Sequence, residues 1–328
     1  MIVVTGGAGF IGSNLVARLE ENRLGPVFVC DVLGTDERWQ NLKRRSIADL
    51  IAPQDFQAFL ERHGRNIKII YHMGANSSTT ETDADLIMSM NFKFSMMLFE
   101  ACVLNNIRLV YASSAATYGD GSAGFEDGDD ETTLAKLIPL NVYGWSKHLF
   151  DRRVAVAVKA GSGFPPQCAG LKFFNVYGPN EYHKAGMRSV VIQIFNQISQ
   201  GQSARLFKSY REPFGDGEQS RDFIWVDDCV DVMLWLYNHP HISGLFNLGT
   251  GKARSFYDLA VSVFKALGKE PSIEFIDMPL SLREKYQYFT QANMSRLHKA
   301  GYTASFTSLE EGACQYVQNY LLKPDPYR

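Results

Sequence analysis

The amino-acid sequence predicts an α/β protein built on a doubly wound parallel sheet, with a smaller lobe toward the C-terminus. Three observations carry this prediction. Short β-rich apolar runs alternate with helical patterns through the first half of the 328-residue chain. A glycine-rich turn separates the first run from the first helix, and glycines, prolines and charges become more frequent after about residue 174. Such alternation is typical of parallel strands joined by crossover helices.

The individual elements follow from the spacing of apolar residues. This spacing predicts strands near residues 1–5, 27–31, 68–72, 108–112 and 167–173. It predicts helices near residues 11–21, 53–63, 84–105, 140–159, 187–200, 226–238, 255–267 and 308–322. We therefore expect a dinucleotide-binding domain over residues 1–173. The lobe should lie mainly within 174–328, with about 226–250 returning to the first domain.

The turn after the first predicted strand has the spacing of a dinucleotide-binding fingerprint. Gly7, Gly9 and Gly12 form a Gly-x-Gly-x-x-Gly pattern, which also reads as Thr-Gly-x-x-Gly-x-x-Gly from Thr5. A strand, a tight turn and a helix bring backbone N–H groups and the positive end of a helix dipole together, where a pyrophosphate can bind. Asp31 ends the second predicted strand, where an acid can hold the adenosine ribose. The pattern therefore predicts a Rossmann-type domain.

Composition and charge argue against several classes of protein. A formal net charge of −2 leaves no basic excess for binding nucleic acid or an anionic membrane. The five cysteines are widely spaced and form no Cys-x-x-Cys pair, which argues against a zinc site and a disulfide framework. No window of the sequence reaches about 18 uninterrupted apolar residues. We expect a soluble cytoplasmic protein without a metal, a membrane partner or a nucleic-acid partner.

A second motif carries candidate chemistry. Tyr143 and Lys147 are four residues apart, so on a helix they lie on one face. A neighbouring ammonium favours the phenolate, and we expect it to lower the pKa of Tyr143 from its usual value of about 10. Ser114 follows the predicted strand at 108–112 and should lie at the carboxyl edge of the sheet. The order of glycine turn, serine and Tyr-x-x-x-Lys predicts an acid–base site for hydride transfer.

With these motifs established, the chain is similar to the extended short-chain dehydrogenases/reductases that act on nucleotide sugars. The resemblance covers essentially the whole length. It rests on residues 4–14, 77–81, 112–119, 139–144, 174–179, 183–184 and 246–251. Segments 77–81 and 183–184 are the more specific ones, and they resemble the branch of this family that inverts C6 of an ADP-heptose.

The resemblance implies an epimerase that makes a precursor of the lipopolysaccharide inner core. The C6 hydroxyl would be oxidised to a ketone by a tightly held nicotinamide, and hydride would return to the opposite face. Tyr143 and Lys184 match the two proton-handling candidates of the family. Lys147 would bind the nicotinamide ribose, and Ser114 would hydrogen-bond the reacting oxygen.

The choice of cofactor depends on two residues with opposite preferences. The carboxylate of Asp31 would repel a 2′-phosphate and favours NAD. Arg38 matches a family lysine credited with the NADP phosphate, and the basic run 43–45 is nearby. We expect NADP, with NAD possible. The implied cofactor contacts are Gly6, Gly9, Phe10, Ile11, Gly12, Asp31, Val32, Arg38, Met73, Gly74, Ala75, Asn76, Ser77, Asn91, Tyr143, Lys147, Val176 and Lys184.

The resemblance also implies contacts to the substrate, which would be an ADP-heptose. Arg221 suits a diphosphate because its planar fork can bond two oxygens at once. Residues 207–210 depart from the family, which has Phe-Glu-Gly-Ser where this chain has Phe-Lys-Ser-Tyr. The implied substrate contacts are Ser114, Asn175, Gly186, Gln193, Phe207, Lys208, Ser209, Tyr210, Arg221 and Tyr286. A homo-oligomer, with a pentamer among the options, is implied as well.

Two other functions remain open at this stage, because the fold alone does not select among them. A UDP-sugar 4-epimerase carries the same tyrosine, lysine and serine and differs only in its second lobe. A non-catalytic NADP-sensing protein usually lacks the tyrosine or the lysine, and both are present here. A dehydratase needs an added acid and base beside the serine, whereas residues 114–117 contain no Asp-Glu pair.

Overall fold

The central feature of the molecule is a seven-stranded sheet in which every pairing is parallel. The computed structural model describes residues 1–161, 163–283 and 286–328. Numbered along the chain, the strands of this sheet are β1 (Ile2–Thr5), β2 (Val27–Cys30), β3 (Asp49–Ile51), β4 (Ile69–His72), β5 (Arg108–Ser114), β6 (Cys168–Phe173) and β10 (Gly244–Leu248).

The strand order, β10-β6-β5-β4-β1-β2-β3, places a switch point at β1. The chain runs from β1 toward one edge of the sheet and then returns to β4 on the other side of β1. In doubly wound sheets, ligands bind in the crevice at the carboxyl ends of the strands beside this point. All residues of β1 and β4 are buried, as expected for strands covered on both faces. The predicted fold class is confirmed.

Helices cover both faces of the sheet. Helix α1 (Phe10–Glu21) packs on α8 (Val226–Asn238), whereas α6 (Val142–Ala160) packs on the helical segment 84–105. The crossovers from β1 to β2 and from β4 to β5 run in opposite directions across the sheet, so right-handed connections place α1 and the segment 84–105 on opposite faces. The α-helices are α1 (Phe10–Glu21), α2 (Phe56–His63), α3 (Ala84–Ile87), α4 (Phe94–Asn105), α5 (Glu131–Leu134), α6 (Val142–Ala160), α7 (Val190–Ser199), α8 (Val226–Asn238), α9 (Phe256–Ala266), α10 (Leu280–Arg283), α11 (Ser295–Lys299) and α12 (Leu309–Tyr316).

The crossover from β4 to β5 is one continuous helical segment, Ala84–Asn105, in which the π-helical turns Met88–Lys93 join α3 to α4. Within the described residues, it is the one helix long and apolar enough by composition to cross a membrane. In this fold it covers the sheet, and Ile87, Leu98 and Cys102 are completely buried. About a third of its apolar window is buried in this way, so packing as a crossover helix accounts for part of its apolar character.

Residues beyond β6 form two small sheets and a second hydrophobic core. The small sheets contain β7 (Asn175–Tyr177), β8 (Ala204–Phe207), β9 (Ser220–Trp225), β11 (Ala253–Ser255) and β12 (Ile273–Ile276). Their orders are β11-β9-β7 and β12-β8. Helices α7, α9 and α12 supply much of the second core, which is separate from the core of the main sheet.

Most predicted elements lie within a few residues of those in the structure. Strand β3 was missed because it is a three-residue edge strand whose first two residues are exposed. The helix expected near 308–322 is α12 followed by the π-helical turns Val317–Leu321. The division of the chain at residue 173 stays a prediction, and β10 lies in the main sheet, inside the segment expected to return there.

Candidate active site

A cavity of about 750 Å³ opens at the carboxyl edge of the main sheet. It is lined by the turn after β1, the ends of β4 and β5, the first turns of α6 and the segment around β7. The predicted site residues that line it are Gly6, Gly9, Phe10, Ile11, Gly12, Asp31, Arg38, Met73, Gly74, Ala75, Asn76, Ser77, Ser114, Tyr143, Lys147, Asn175, Val176 and Lys184. Residues far apart in sequence therefore meet in one cavity.

The glycine turn is built so closely that side chains would not fit. Gly6 has a φ of +68°, and a Cβ there would lie 2.5 Å from the Cα of Gly74. A Cβ on Gly12 would lie 2.1 Å from the carbonyl oxygen of Gly6. The first N–H groups of α1, which begins at Phe10, have no partner within the helix. The turn thus presents a bare backbone and a helix N-terminus to the cavity, as an anion site requires.

Asp31 is held against this turn. Its carboxylate accepts hydrogen bonds of 2.8 Å from the N–H groups of Ala8 and Val32. Burial raises the pKa of Asp31, and these hydrogen bonds together with Arg38 offset part of that rise. Val32 itself is exposed and lies outside the cavity lining.

Arg38 lies beside Asp31 but is engaged by another acid. Its Nη1 is 3.9 Å from Asp31 Oδ1, while its Nε donates to Asp36 Oδ1 at 2.8 Å. This ion pair lowers the pKa of Asp36 to about 2. His183 lines the same end of the cavity, and burial lowers its pKa to about 4. Sequence reasoning placed neither Asp36 nor His183 in the site.

The basic run 43–45 does not reach the cavity. Lys43 and Arg44 pair with Asp325, and Arg45 pairs with Glu20. Arg38 is therefore the one member of this basic region that lines the cavity.

Asn91 hydrogen-bonds the backbone of segment 73–77, on the side away from the cavity. It is completely buried in the π-helical turns and does not line the cavity. Its side chain accepts from the N–H of Asn76 at 2.8 Å and donates to the carbonyl oxygen of Asn76 at 2.9 Å. It also donates to Ser146 Oγ at 3.1 Å. Asn91 therefore joins segment 73–77 to α6, and its direct contact with the cofactor stays a prediction.

Ser114, Tyr143 and Lys147 converge on the cavity from β5 and α6. Ser114 ends β5, and its Oγ accepts from the N–H of Ala116 at 3.1 Å. Asn141 caps α6 by accepting from the N–H of Gly144 at 2.8 Å, which fixes the turn that carries Tyr143. One turn later, Lys147 Nζ donates to the carbonyl oxygen of Ala112 at 2.8 Å.

The predicted lowering of the Tyr143 pKa is wrong for the ligand-free structure. Burial raises the pKa of Tyr143, and the neighbouring Ser114 hydroxyl offsets part of the rise. Burial also lowers the pKa of Lys147 to about 8, with Asp151 acting in the opposite direction. Burial therefore decides the direction of both pKa shifts, and the prediction from residue spacing did not include it.

Lys184 reaches the cavity from a second direction, on the 3₁₀ segment Tyr182–Met187. Its Nζ lies 5.5 Å from the centre of the Phe10 ring, next to the glycine turn. The segment is closed by Glu181, a buried carboxylate that accepts from the Ser189 N–H and, at 2.6 Å, from Ser189 Oγ. Burial lowers the pKa of Lys184, and Glu181 raises it in part.

Only some of the residues predicted to contact the substrate line the cavity. Asn175 lines the cavity, whereas eight others do not: Gly186, Gln193, Phe207, Lys208, Ser209, Tyr210, Arg221 and Tyr286. Among these eight, Arg221 is buried, and its guanidinium lies 5.1 Å from the centre of the Tyr286 ring. It also lies 5.7 Å from the ring of Phe256, which does line the cavity.

Four more of these eight residues, Gln193, Lys208, Ser209 and Tyr210, have polar partners within the protein. Lys208 Nζ lies 3.2 Å from Asp277, and Tyr210 OH donates to the same carboxylate at 2.8 Å. Ser209 donates its N–H to Asp216 at 2.7 Å. Gly186 is exposed, and Gln193 donates to the carbonyl oxygen of Arg188 at 2.7 Å.

The site contains no metal cluster in the part of the chain that the structure describes: no group of three or more His, Cys, Asp or Glu is arranged to hold an ion. The cavity lining offers a phenol, two lysines and a hydroxyl at Tyr143, Lys147, Lys184 and Ser114, together with the ionisable residues Asp31, Asp36, Arg38, His183 and Arg188.

Comparison with known proteins agrees with this arrangement. Residues 2–249 match the NAD dependent epimerase/dehydratase family. The chain is 49% identical over 330 residues to the ADP-L-glycero-D-manno-heptose-6-epimerase of Nitratidesulfovibrio vulgaris strain Hildenborough, and 46% identical over 335 residues to that of Fusobacterium nucleatum. Each alignment covers 100% of both chains.

Solved structures show the same likeness. The ADP-L-glycero-D-manno-heptose-6-epimerase of Helicobacter pylori superposes with a TM-score of 0.75 at 28% identity, covering 97% of this chain and 95% of that one. The UDP-glucose 4-epimerase of Thermus thermophilus, in complex with NAD, gives 0.74 at 26% identity, covering 96% and 97%.

Fold, site and comparisons together define a nicotinamide-dependent enzyme of the isomerase class. The chain belongs to the NAD-dependent epimerase/dehydratase family and, within it, to the ADP-L-glycero-D-manno-heptose-6-epimerases.

Proposed function

We propose that this protein converts ADP-D-glycero-D-manno-heptose to ADP-L-glycero-D-manno-heptose by inverting C6, with NADP as the bound cofactor. The observation that carries the proposal is the meeting of Ser114, Tyr143, Lys147 and Lys184 in one cavity at the sheet edge. The names of relatives 46–49% identical over the full length support the choice of substrate. The process we assign is synthesis of a lipopolysaccharide inner-core precursor.

The residues present fit a nicotinamide dinucleotide. The side-chain-free turn at Gly6 and Gly12 and the N-terminus of α1 suit its diphosphate, and Asp31 suits the adenosine ribose. When bound, the cofactor supplies reversible oxidation of a secondary alcohol. Arg38, beside Asp31, supports NADP because a 2′-phosphate would meet its guanidinium. NAD is the alternative, since one donor of the Arg38 guanidinium is already hydrogen-bonded to Asp36.

Tyr143 is the proposed acid–base group for one orientation of the substrate. It accepts the C6 hydroxyl proton as the alcohol is oxidised and donates a proton as a ketone is reduced. Lys147, buried one helical turn away, holds the nicotinamide ribose and favours the phenolate once the cofactor is in place. Ser114 donates a hydrogen bond to the reacting oxygen.

Lys184 is the proposed group for the other orientation. Inversion requires hydride to return to the opposite face of the C6 ketone. The ketone oxygen therefore takes two orientations in the site, and each needs its own proton-transfer group. Lys184 lies on the 182–187 segment beside Phe10, whereas Tyr143 lies on α6. Burial lowers the pKa of Lys184, which moves this amine toward the range in which it can exchange a proton near neutral pH.

Substrate binding would involve both the cavity and the adjoining lobe. Asn175 lines the cavity, and Arg221 lies against the lining residue Phe256, so a diphosphate reaching from the cavity would meet an arginine. Lys208 and Tyr210 contact Asp277 in the structure. For these two residues to contact the substrate nucleotide, the 207–210 segment would have to move toward the cavity.

We further propose a cytoplasmic homo-oligomer, with a pentamer among the options. The exposed apolar side chains of Ile138, Leu140 and Trp145, which line one surface groove, support burial against another copy. Light scattering coupled to gel filtration tests the oligomeric state.

The test of function is proton NMR of ADP-D-glycero-D-manno-heptose incubated with the purified protein and no added cofactor, with UDP-glucose as a parallel substrate. The proposal predicts the L-glycero epimer from the first and no change in the second. Formation of UDP-galactose with an untouched heptose would instead establish a UDP-sugar 4-epimerase. If neither substrate changes, even with NADP⁺ or NAD⁺ supplied, the assignment of the second lobe to these nucleotide sugars fails and only the dinucleotide site remains supported.

A further inference from the structure

Arg188 is a cavity residue that neither the glycine fingerprint nor the family resemblance predicts. It follows the 182–187 segment, and its Nε donates to the carbonyl oxygen of Ala185 at 2.8 Å. Its own carbonyl oxygen accepts from Gln193. Hydrogen bonds thus hold both the side chain and the backbone of Arg188, and the residue lines the cavity.

The charge around Arg188 is unbalanced. Within residues 1–161, 163–283 and 286–328, no carboxylate pairs with its guanidinium. The acids that line the cavity, Asp31 and Asp36, both lie at the Arg38 end. The lining residues that follow Arg188 and Ser189 along the chain, Val190 and Val191, are apolar. An arginine is always charged, so a half-buried arginine that no carboxylate pairs with among the described residues calls for an anionic partner.

We propose that Arg188 binds the diphosphate of the nucleotide-sugar substrate, sharing it with Arg221. This inference rests on the proposed function and deepens it. Helix α7 begins two residues after Arg188 and packs on α9, whose first residue, Phe256, lines the same cavity and lies 5.7 Å from the Arg221 guanidinium. Two guanidinium forks can each bond two phosphoryl oxygens, which suits a diphosphate better than a monophosphate.

The cofactor also carries a diphosphate, and the structure gives that group a separate place. The glycine turn and the first N–H groups of α1 lie next to Lys184, whose Nζ is 5.5 Å from Phe10. Arg188 lies four residues beyond Lys184, just before helix α7, whose buried apolar side chains belong to the second core. The two diphosphates can therefore be distinguished by experiment.

The experiment compares wild type, Arg188→Ala and Arg188→Lys, each purified with its cofactor. Calorimetry measures the affinity for ADP and for AMP, and kinetics measure KM and kcat for the ADP-heptose. We expect Arg188→Ala to weaken ADP binding by about 10- to 100-fold, since hydrogen bonds to charged groups are lost. AMP binding should change much less, KM should rise by a similar factor as ADP binding falls, and Arg188→Lys should be intermediate.

Arg205→Ala is the matched control. Arg205 is an exposed lobe arginine that pairs with Glu274 at 3.0 Å and lies outside the cavity, so its removal should leave ADP affinity and KM unchanged. Unchanged ADP binding in Arg188→Ala, or equal losses for ADP and AMP, would overturn the proposal. Loss of the copurified cofactor would also overturn it, by assigning Arg188 to the cofactor diphosphate. A wild type that fails to epimerise ADP-heptose counts against the proposed function, while the ADP and AMP affinities still decide the role of Arg188.

Discussion

The ammonium of Lys172 lies 2.9 Å from the carboxylate of Asp151, and neither side chain is exposed to solvent. Asp151 also accepts hydrogen bonds from Ser113 at 2.7 Å and from Tyr111 at 3.2 Å. These contacts join β6 and β5 to α6 below the cavity-lining residues Ser113 and Lys147. Asp151 lies one turn beyond Lys147 on the same helix, so the charge that offsets burial of Lys147 belongs to this pair.

Replacing Lys172 by methionine should lower the free energy of unfolding by about 3–5 kcal/mol, because it leaves Asp151 buried without its partner. The matched control is Lys159→Met, which breaks an exposed 2.8 Å pair with Glu131 and should leave the free energy of unfolding nearly unchanged, because solvent screens this pair. Urea unfolding followed by circular dichroism measures both. Equal effects of the two substitutions would show that burial of the first pair has no energetic consequence.

Replacing Tyr143 by phenylalanine should lower kcat by about 10²- to 10⁴-fold while the cofactor stays bound, because only a proton-transfer group is removed. Turnover is measured by NMR, and retained cofactor by absorbance after denaturation. Tyr257→Phe, at an exposed position outside the cavity, is the control and should behave as wild type. Near-normal turnover in Tyr143→Phe would remove this residue from the mechanism.

Replacing Arg38 by alanine should weaken NADP binding by about 10-fold or more and leave NAD binding nearly unchanged, because only NADP carries the 2′-phosphate. Fluorescence titration of the cofactor-free protein measures both affinities. Arg45→Ala removes a neighbouring cation that pairs with Glu20, outside the cavity, and should alter neither affinity. A parallel loss of NAD and NADP affinity in Arg38→Ala would contradict the assignment.

The buried ammonium of Lys147 should make stability depend on pH in a defined direction. Its pKa is about 8 in the folded protein, against an ordinary 10.5, so between these values the folded state binds fewer protons than the unfolded chain. The contribution of Lys147 to the free energy of unfolding therefore rises with pH through this window, by on the order of 1 kcal/mol per pH unit.

The check is urea unfolding of wild type and Lys147→Met across that window. Wild type should gain stability relative to the variant as the pH rises above about 8. A relative stability that is flat or falls with pH would show that Lys147 is not held in a desolvated site.

Local sequence was enough to predict the parts of the site that depend on backbone geometry. The turn at Gly6 and Gly12, Asp31 at a strand end, and the helical spacing of Tyr143 and Lys147 are all set by neighbouring residues. Each of them lines the cavity in the structure. The main strands were predictable for the same reason, since buried parallel strands are short continuous apolar runs.

The parts that sequence could not predict depend on tertiary packing. Burial around Tyr143 raises its pKa, and no spacing rule measures that burial. Asn91 lies behind the cavity wall because of how the 84–105 helix packs on α6. Arg188 belongs to no sequence motif, and only its place in the cavity lining identifies it as a candidate.

The proposed mechanism inverts C6 by oxidation and hydride return within one active site. The most direct measurement uses ADP-D-glycero-D-manno-heptose carrying deuterium at C6, converted in ordinary water and analysed by mass spectrometry and NMR. The account predicts an L-glycero product that keeps its deuterium at C6, because the hydride taken from that carbon is returned to it. A product with hydrogen from the solvent at C6 would contradict the account and indicate inversion by removal and return of a proton.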